Sequence, residues 1–124
     1  ATLGDWARFG LFISRGGVWE SELLLPDNWV ADATTTTEAH LAHGQVDKNW
    51  RKGYGWHWWT FADSTFQADG SRGQSIFIDP ARELVVARAS AWPEDWVEKY
   101  DDQTHAFYDG LMAFIDARST FADE

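Results

Sequence analysis

The chain of 124 residues has the length of one domain, and its apolar content of 44% is too high for an intrinsically disordered protein. A formal net charge of −10 argues against nucleic acid or an anionic membrane as partner, because both require a basic surface. No apolar run approaches the roughly 18 residues of a membrane span, and no signal-peptide pattern opens the sequence. The lack of cysteine excludes disulfides and thiolate chemistry but leaves the compartment open.

A first helix is predicted from Thr2 to the pair Gly16-Gly17. Thr2 followed by Asp5 resembles a capping box, with aspartate in the place of the usual glutamate. The two glycines end the helix, because glycine readily adopts the left-handed conformation found at helix ends. Residues at helical spacing predict one buried face: Leu3, Trp6, Gly10 and Ile13.

A second, short helix is predicted from Pro26 to about Ala33, because proline suits the first turn of a helix. We expect it to direct Trp29 and Val30 inward. Residues 34–52 are polar and lack periodicity, which predicts a surface loop. A loop of this length in a compact domain is usually functional or mobile.

Strands are predicted from residue 53 onward. Residues 53–60 alternate as one strand, and a short strand from Phe66 leads into a glycine-punctuated turn. A hairpin follows, with Gln74–Asp79 and residues 84–91 as its arms. Its second arm opens with a continuous apolar run, which is typical of a central strand covered on both faces, and two flanking helices are the natural cover.

A final helix is predicted from Asp101 or Asp102 to about Arg118, because acidic residues favour a helix N-terminus. The element order predicts an α+β fold, in which an N-terminal and a C-terminal helix pack on an antiparallel sheet of three to four strands. The expected buried stripe of the last helix is His105, Tyr108, Leu111, Met112 and Ile115.

Several kinds of catalytic site can be weighed from the sequence. No serine begins a Ser-x-x-Lys or lies in a Gly-x-Ser-x-Gly pattern. A Ser-His-Asp triad forms in space rather than in sequence, so it stays open, as does a pair of catalytic carboxylates. His40 and His43 lack a third ligand, so we predict a solvated loop there, no metal site and no cofactor. We interpret His57, in a tryptophan-rich strand, as a pocket wall rather than a general base.

The turn Gly70-Ser71-Arg72-Gly73 allows two interpretations. It is a tight turn before the hairpin, which the pattern alone favours. Alternatively, glycine leaves backbone N–H groups approachable, and such a group at the end of a strand can stabilise a developing oxyanion.

Several motifs, in order along nearly the whole chain, resemble those of the serine β-lactamase-like hydrolases. This superfamily comprises class C β-lactamases, DD-peptidases, carboxylesterases and 6-aminohexanoate-dimer hydrolases, and the resemblance is closest to the last. The main signature is Phe66-x-Ala68-x-Gly70-x-x-Gly73-Gln74-x-Ile76-Phe77-Ile78-Asp79-Pro80, followed by Glu83-Leu84-Val85-Val86. The others are Asp5-Trp6-Ala7-Arg8-Phe9-Gly10, Gly16-Gly17-Val18-Trp19, Leu25-Pro26-x-x-Trp29-Val30 and Gly53-Tyr54-Gly55-Trp56-x-Trp58-Trp59.

The resemblance implies that residues 1–124 are a single segment, the C-terminal part of a serine hydrolase domain. In this family the Ser-x-x-Lys nucleophile and a catalytic tyrosine lie upstream of the signature. We therefore expect an excised segment or one piece of a two-piece enzyme, with a complementary chain carrying the Ser-x-x-Lys half. The expected substrate is a small-molecule acyl compound, and the isolated segment is expected to be inactive.

By position, Ala68-Asp69-Gly70 matches the Lys-Thr-Gly motif of the family. The resemblance then implies that the backbone N–H of Ser71, beside Gly70, belongs to the oxyanion hole. Ala68 in place of lysine removes the cation that grips a β-lactam carboxylate, which disfavours penicillins, and Asp69 would repel acidic substrates. An esterase or amidase acting on small or cationic acyl compounds fits better. The expected substrate-binding residues are Asp69, Ala68, His57 and Trp58.

The nine tryptophans support an alternative function. A non-catalytic domain could stack them on carbohydrate or other flat, aromatic ligands. Exposed, coplanar tryptophans would favour that function, whereas tryptophans buried against the helices would favour the hydrolase segment. A third interpretation is an inert structural or interaction piece, indicated by an exposed apolar face or sheet edge.

Overall fold

The computed structural model describes residues 1–122. Its helices are α1 (Leu3–Ser14), α2 (Trp29–Ala33) and α3 (Glu98–Ala122). A small antiparallel hairpin pairs β1 (Val18–Trp19) with β2 (Glu22–Leu23). The main sheet is antiparallel, and its strands in spatial order are β3 (Gly53–Tyr54), β4 (Trp59–Thr60), β5 (Phe66–Gly70), β6 (Gln74–Asp79) and β7 (Leu84–Arg88).

The α+β class, with an antiparallel sheet and flanking helices, is confirmed. The main sheet has five strands instead of the predicted three to four, because residues 53–60 form two strands rather than one. His57 breaks the run with a φ of +63°, and the N–H of Gly55 donates to the carbonyl of Trp58 at 2.8 Å. A tight turn therefore replaces the middle of the expected strand.

The start of α1 is confirmed as a capping box. The Thr2 hydroxyl accepts the N–H of Asp5 at 3.2 Å, and the Asp5 carboxylate accepts the N–H of Thr2 at 2.7 Å. The expected buried face is only half correct. Gly10 and Ile13 are buried, but Leu3 is 50% exposed and Trp6 51% exposed, because the first turns of the helix overhang an open groove.

The core lies between α1 and the sheet. Trp58 anchors it, stacked on Phe9 of α1 with 6.5 Å between ring centroids and edge-on to Phe66 of β5 at 5.2 Å. The buried residues of this cluster are Ile13, Ala33, Trp58, Phe66, Ile76 and Ile78.

Within the described residues, β7 is an edge strand, whereas its apolar run predicted a central one. Its five residues are nonetheless half-buried. Val85 packs under Gly10 of α1, and Val86 lines a shallow groove shared with Thr104 and Phe107 of α3. The two helices thus cover the faces of β7 as expected, and only its central place in the sheet differs from the prediction.

Two helix boundaries differ from the prediction. α2 begins at Trp29 rather than Pro26, because Asn28 has a φ of +62° and interrupts the first turn. Trp29 and Val30 are half-buried and pack on the core, as expected. α3 begins at Glu98, earlier than Asp101, because the carbonyl of Val97 already accepts helical N–H groups.

α3 presents the predicted stripe to the sheet. His105 and Tyr108 are buried, and Tyr108 stacks on Phe77 of β6 with 4.3 Å between centroids. Leu111, Met112 and Ile115 are half-buried. Arg82 fastens the helix to the β6–β7 hairpin through both Asp116 oxygens at 2.8 and 2.7 Å and through Asp79 at 2.7 Å. No helix within residues 1–122 has the length and apolarity needed to cross a membrane.

The close contact between α1 and the sheet depends on the missing side chain of Gly10. A Cβ there would lie 2.5 Å from Cγ1 of Val85 and 3.0 Å from Cγ2 of Ile76. Gly10→Ala should therefore lower the free energy of unfolding by about 1–3 kcal/mol through overpacking. The measurement is urea unfolding followed by tryptophan fluorescence.

Gly4→Ala is the matched control, because its Cβ would meet its nearest atoms at an ordinary 3.6 Å. It should be neutral or stabilise by up to about 1 kcal/mol through helix propensity. Equal stability of the two variants would show that the close approach of α1 to β7 is wrong.

Candidate functional site

The turn between β5 and β6 reverses the chain within three residues, Ser71–Gly73. Arg72 has φ +61° and ψ +30°, and Gly73 has φ +82°, so two consecutive residues are left-handed. Glycine adopts this conformation freely, but arginine does so only under constraint. Gly70 and Ser71 are exposed, so the backbone at this end of β5 is open to a ligand.

An open groove of about 520 Å³ runs alongside this turn. β5 contributes Ala68, Asp69 and Gly70, and the first turns of α1 face them with Leu3 and Trp6. The remaining lining residues are Ala1, Gln74, Ser75, Ile76, Arg88 and Ala89. Three of the residues predicted for the substrate site therefore meet in one groove, with Ser71 next to them in the chain.

Asp69 is the acidic residue of the groove lining, and its carboxylate is bonded from the buried side of the sheet. Burial raises its pKa, while the charges of Lys52 and Arg88 and a 2.8 Å hydrogen bond from the Gln67 amide act in the opposite direction. Gln67 is 1% exposed, and its Oε1 has no hydrogen-bond partner among the described residues. Asp69 is thus held in place from inside the sheet.

A buried lysine, which the sequence did not reveal, acts on Asp69 through its charge. Lys52 is 1% exposed, and its Nζ lies 3.6 Å from Oδ2 of Asp101 and 3.8 Å from Oδ2 of Asp47. The ammonium also lies over two indole rings, 5.6 Å from the centroid of Trp59 and 5.1 Å from that of Trp96. Its position at the end of a polar loop gave no signal, because burial here depends on α3.

Asp101 is also paired with His105, whose Nε2 lies 3.7 Å from its Oδ2. Trp50 stacks on the imidazole with 4.2 Å between centroids. Burial, helped by Lys52, lowers the pKa of His105 to about 4. Burial raises the pKa of Asp101 to about 6, against the effect of Lys52. In mildly acidic solution both members of the pair are therefore largely neutral.

The other residues singled out in the sequence lie elsewhere. Trp58 is 5% exposed and belongs to the core, and His57 is exposed in the β3–β4 turn. Neither is part of the groove lining. His43 Nε2 lies 3.1 Å from Oγ1 of Thr60, and residues 1–122 contain no group of three potential metal-ligating side chains.

The hydroxyls of Ser71 and Ser75 form hydrogen bonds with side chains other than histidine. Ser71 donates to Asp95 at 2.6 Å, and Ser75 lies 2.9 Å from the Tyr108 hydroxyl. Among the hydrogen bonds of the described residues, none joins a serine to a histidine.

The tryptophans do not form a flat stacking surface in the described part of the chain. Four are exposed, Trp6, Trp19, Trp56 and Trp96, and one is in the core. The two tryptophan–tryptophan contacts are edge-on, with interplanar angles of 70° and 72°. This arrangement lacks the coplanar rings that favour a sugar-stacking face.

The Asp101–His105 pair generates a pH prediction. Asp101, with its raised pKa, contributes stability in acid that is lost as the pH rises through about 6. His105, with its lowered pKa, contributes stability above about pH 6.5 that is lost as the pH falls through about 4. Between these limits the two effects oppose each other.

Replacing one member of the pair should reveal the pH dependence of stability that the other member contributes. On going from about pH 7 to about pH 5, the melting temperature of His105→Phe should rise relative to that of the unmodified chain, and that of Asp101→Asn should fall. Charged groups that act on the pair, Lys52, Asp47, Asp69 and Arg88, are unchanged in both variants. Parallel pH profiles for the two variants would contradict the assignment.

The chain is similar to known proteins both in sequence and in structure. No protein-family model matches the sequence. The chain is 27% identical over 97 residues to the 6-aminohexanoate-dimer hydrolase of Paenarthrobacter ureafaciens, covering 75% of the chain and 25% of that enzyme. It superposes with a TM-score of 0.70 and 26% identity on a Bacillus anthracis protein assigned as a 6-aminohexanoate-dimer hydrolase, covering 88% of the chain and 28% of that structure.

The chain thus spans about a quarter of the length of the relatives it matches. In sequence and in fold it is similar to part of the 6-aminohexanoate-dimer hydrolases, which confirms the predicted resemblance to the β-lactamase-like hydrolases over a partial segment of their length.

Proposed function

We propose that the chain forms one wall of the acyl site of a β-lactamase-like serine hydrolase, an esterase or amidase that works through an acyl-serine intermediate. The observation that carries the proposal is the exposed, left-handed turn at the end of β5 beside an open groove. The similarity to 6-aminohexanoate-dimer hydrolases supports the reaction class.

In this proposal the substrate carbonyl lies at the end of β5. A serine hydroxyl from a Ser-x-x-Lys sequence attacks the carbonyl carbon, and the N–H groups of that serine and of Ser71 stabilise the oxyanion. The leaving group takes up the proton that the serine hydroxyl loses and departs as an alcohol or amine, and water then hydrolyses the acyl-serine to a carboxylic acid and the free serine. Gly70 carries no side chain and leaves Ser71 approachable. A single oxyanion donor of this kind is worth about 10²–10³ in rate.

The lining of the groove bears on the substrate class. It is largely apolar, and its charged side chains are Asp69 and Arg88, whose guanidinium already donates to the Gly73 carbonyl and the Thr104 hydroxyl. Ala68 offers no cation to a β-lactam carboxylate. We therefore propose small neutral or cationic acyl compounds as substrates. Trp58 supports β4 and β5 from the core, and His57 remains a candidate for contact with substrate at the exposed β3–β4 turn.

The nucleophile would be supplied by a complementary segment that carries the Ser-x-x-Lys sequence. An apolar surface at the groove end of α1, together with apolar residues in and directly after the β1–β2 hairpin, is suited to be covered by this segment. Its exposed residues are Leu3, Trp6, Trp19, Leu23 and Leu24.

One observation favours a second candidate function, a non-catalytic domain that binds carbohydrate or aromatic ligands. A cavity of about 480 Å³ has Trp50, Trp59 and Trp96 in its wall together with Asn49 and Glu98. Indole rings beside polar side chains suit a sugar. Saturable quenching of tryptophan fluorescence by a monosaccharide, lost in Trp96→Ala, would support this candidate.

The hydrolase proposal predicts that the 124-residue chain alone has no turnover of p-nitrophenyl acetate above a heat-killed control. Mixing it with a complementary segment that carries Ser-x-x-Lys should restore turnover that a serine-reactive phosphonate abolishes. Serine-dependent turnover by the chain alone, or none by the mixture, would contradict the proposal.

In the reconstituted enzyme, Ser71→Pro tests the proposed donor directly, because proline has no N–H. Gly70 has φ −116° and ψ +163°, an extended conformation compatible with a following proline. We expect kcat to fall about 10²–10³-fold. Ser71→Ala keeps the N–H and should lose no more than about tenfold. Equal losses in the two variants would show that the N–H is not the donor.

A further inference from the structure

The turn that carries the proposed oxyanion donor contains a strained residue. Arg72 holds a left-handed conformation that a residue with a Cβ disfavours. Such a conformation persists only where the surroundings over-determine it, and it clusters at functional sites. Another part of the molecule must therefore hold the turn in place.

Residues 92–96, called here the strap, hold the turn in place; they lie in the segment that connects β7 to α3. The N–H of Arg72 donates to the Asp95 carbonyl at 3.1 Å, and the N–H of Trp92 donates to the Arg72 carbonyl at 3.2 Å. The Arg72 guanidinium donates to the Pro93 carbonyl at 3.0 Å. The Ser71 hydroxyl donates to the Asp95 carboxylate at 2.6 Å. The strap thus binds both the backbone and the side chains of the turn.

Packing reinforces these hydrogen bonds at the next residue. The ring of Trp92 lies against Gly73, and a Cβ on Gly73 would be 2.3 Å from Cε2 of the indole. The Arg88 guanidinium lies over the same ring, with its Cζ 5.1 Å from the ring centroid. Trp92 therefore fixes the end of the turn that leads into β6.

The strap is itself anchored to the buried lysine. The Nζ of Lys52 lies 5.1 Å from the centroid of Trp96, the residue directly after Asp95. Lys52 is fixed in turn by Asp101 of α3 at 3.6 Å. A continuous set of contacts thus runs from α3 through Lys52 and Trp96 to the turn.

We propose that Asp95 is a positioning residue for the Ser71 N–H, with Lys52 as the anchor of the strap that presents it. This inference rests on the proposed function, because it takes the Ser71 N–H to be the oxyanion donor. Asp95 holds Ser71 by its side chain and Arg72 by its carbonyl, while pairing of Gly70 with Gln74 fixes the strand on the other side. The peptide plane that carries the Ser71 N–H is therefore held at both ends.

The first experiment uses the chain alone and needs no activity. Amide hydrogen exchange of Arg72 and Trp92 is measured in Asp95→Ala and in Glu94→Ala, a matched control in the same exposed strap. We expect exchange about tenfold or more faster in Asp95→Ala, with Phe77 and Ile78 of the core unchanged. The control should stay within about twofold of the unmodified chain.

A conservative variant separates positioning from general destabilisation. Asp95→Asn keeps an oxygen that can accept the Ser71 hydroxyl, so it should return the exchange rates to within about twofold of the unmodified chain. Identical exchange rates in Asp95→Ala and Glu94→Ala would show that Asp95 does not hold the turn. A uniform rise across the core would also overturn the positioning role, because Asp95 would then act on stability alone.

The second experiment uses the enzyme reconstituted with the Ser-x-x-Lys segment. Asp95→Ala should lower kcat by about three- to tenfold and leave KM within about twofold, because the displaced N–H matters in the transition state. Asp95→Asn should recover most of kcat. Unchanged kcat despite faster exchange would overturn the positioning role while leaving the hydrolase intact. A reconstituted enzyme with no turnover at all would instead refute the proposed function.

Discussion

The pairing of β5 with β6 is the constraint on which the site depends. Gly70 opposite Gln74 sets the register, and the three intervening residues close the hairpin only because Arg72 and Gly73 are left-handed. In that register Ile76 and Ile78 enter the core, and Ala68 and Asp69 border the groove. A slip by one residue would reverse every side chain and remove the groove lining.

Two kinds of interaction hold this hairpin within the molecule. On one face, α1 approaches β6 and β7 so closely that only glycine fits at position 10. On the other, a buried ammonium at Lys52 joins the loop before β3 to α3 and to the strap that reaches the turn. Removing one partner of a buried ion pair leaves the other charge uncompensated, so Lys52 and its carboxylate partners stabilise the structure only together. The fold thus fixes the backbone next to the groove through apolar packing and a buried ionic cluster together.

Local features of the sequence were sufficient for much of the fold. The capping box of Thr2 and Asp5 and the arm Gln74–Asp79 were predicted at their observed positions, because both depend on residues close in the chain. The break at His57 was not predicted, since alternation in residues 53–60 also fits a continuous strand. The apolar run at the start of β7 predicts that helices cover both faces of the strand, but it does not determine how many strands pair with its edges, and β7 pairs with β6 alone among the described residues.

For the site, the resemblance predicts residues 68–71, of which residues 68–70 line the groove and Ser71 begins the turn. The sequence predicts neither the burial of Lys52 nor the contacts of Asp95, because each acquires its environment from a distant segment. The measurement that bears most directly on the central claim is a crystal structure of the reconstituted enzyme with a phosphonate bound to its nucleophilic serine. We expect a phosphonyl oxygen at about 2.7–3.1 Å from the backbone nitrogen of Ser71. An adduct whose oxygens are all bound by other donors, with Ser71 facing away, would contradict the claim.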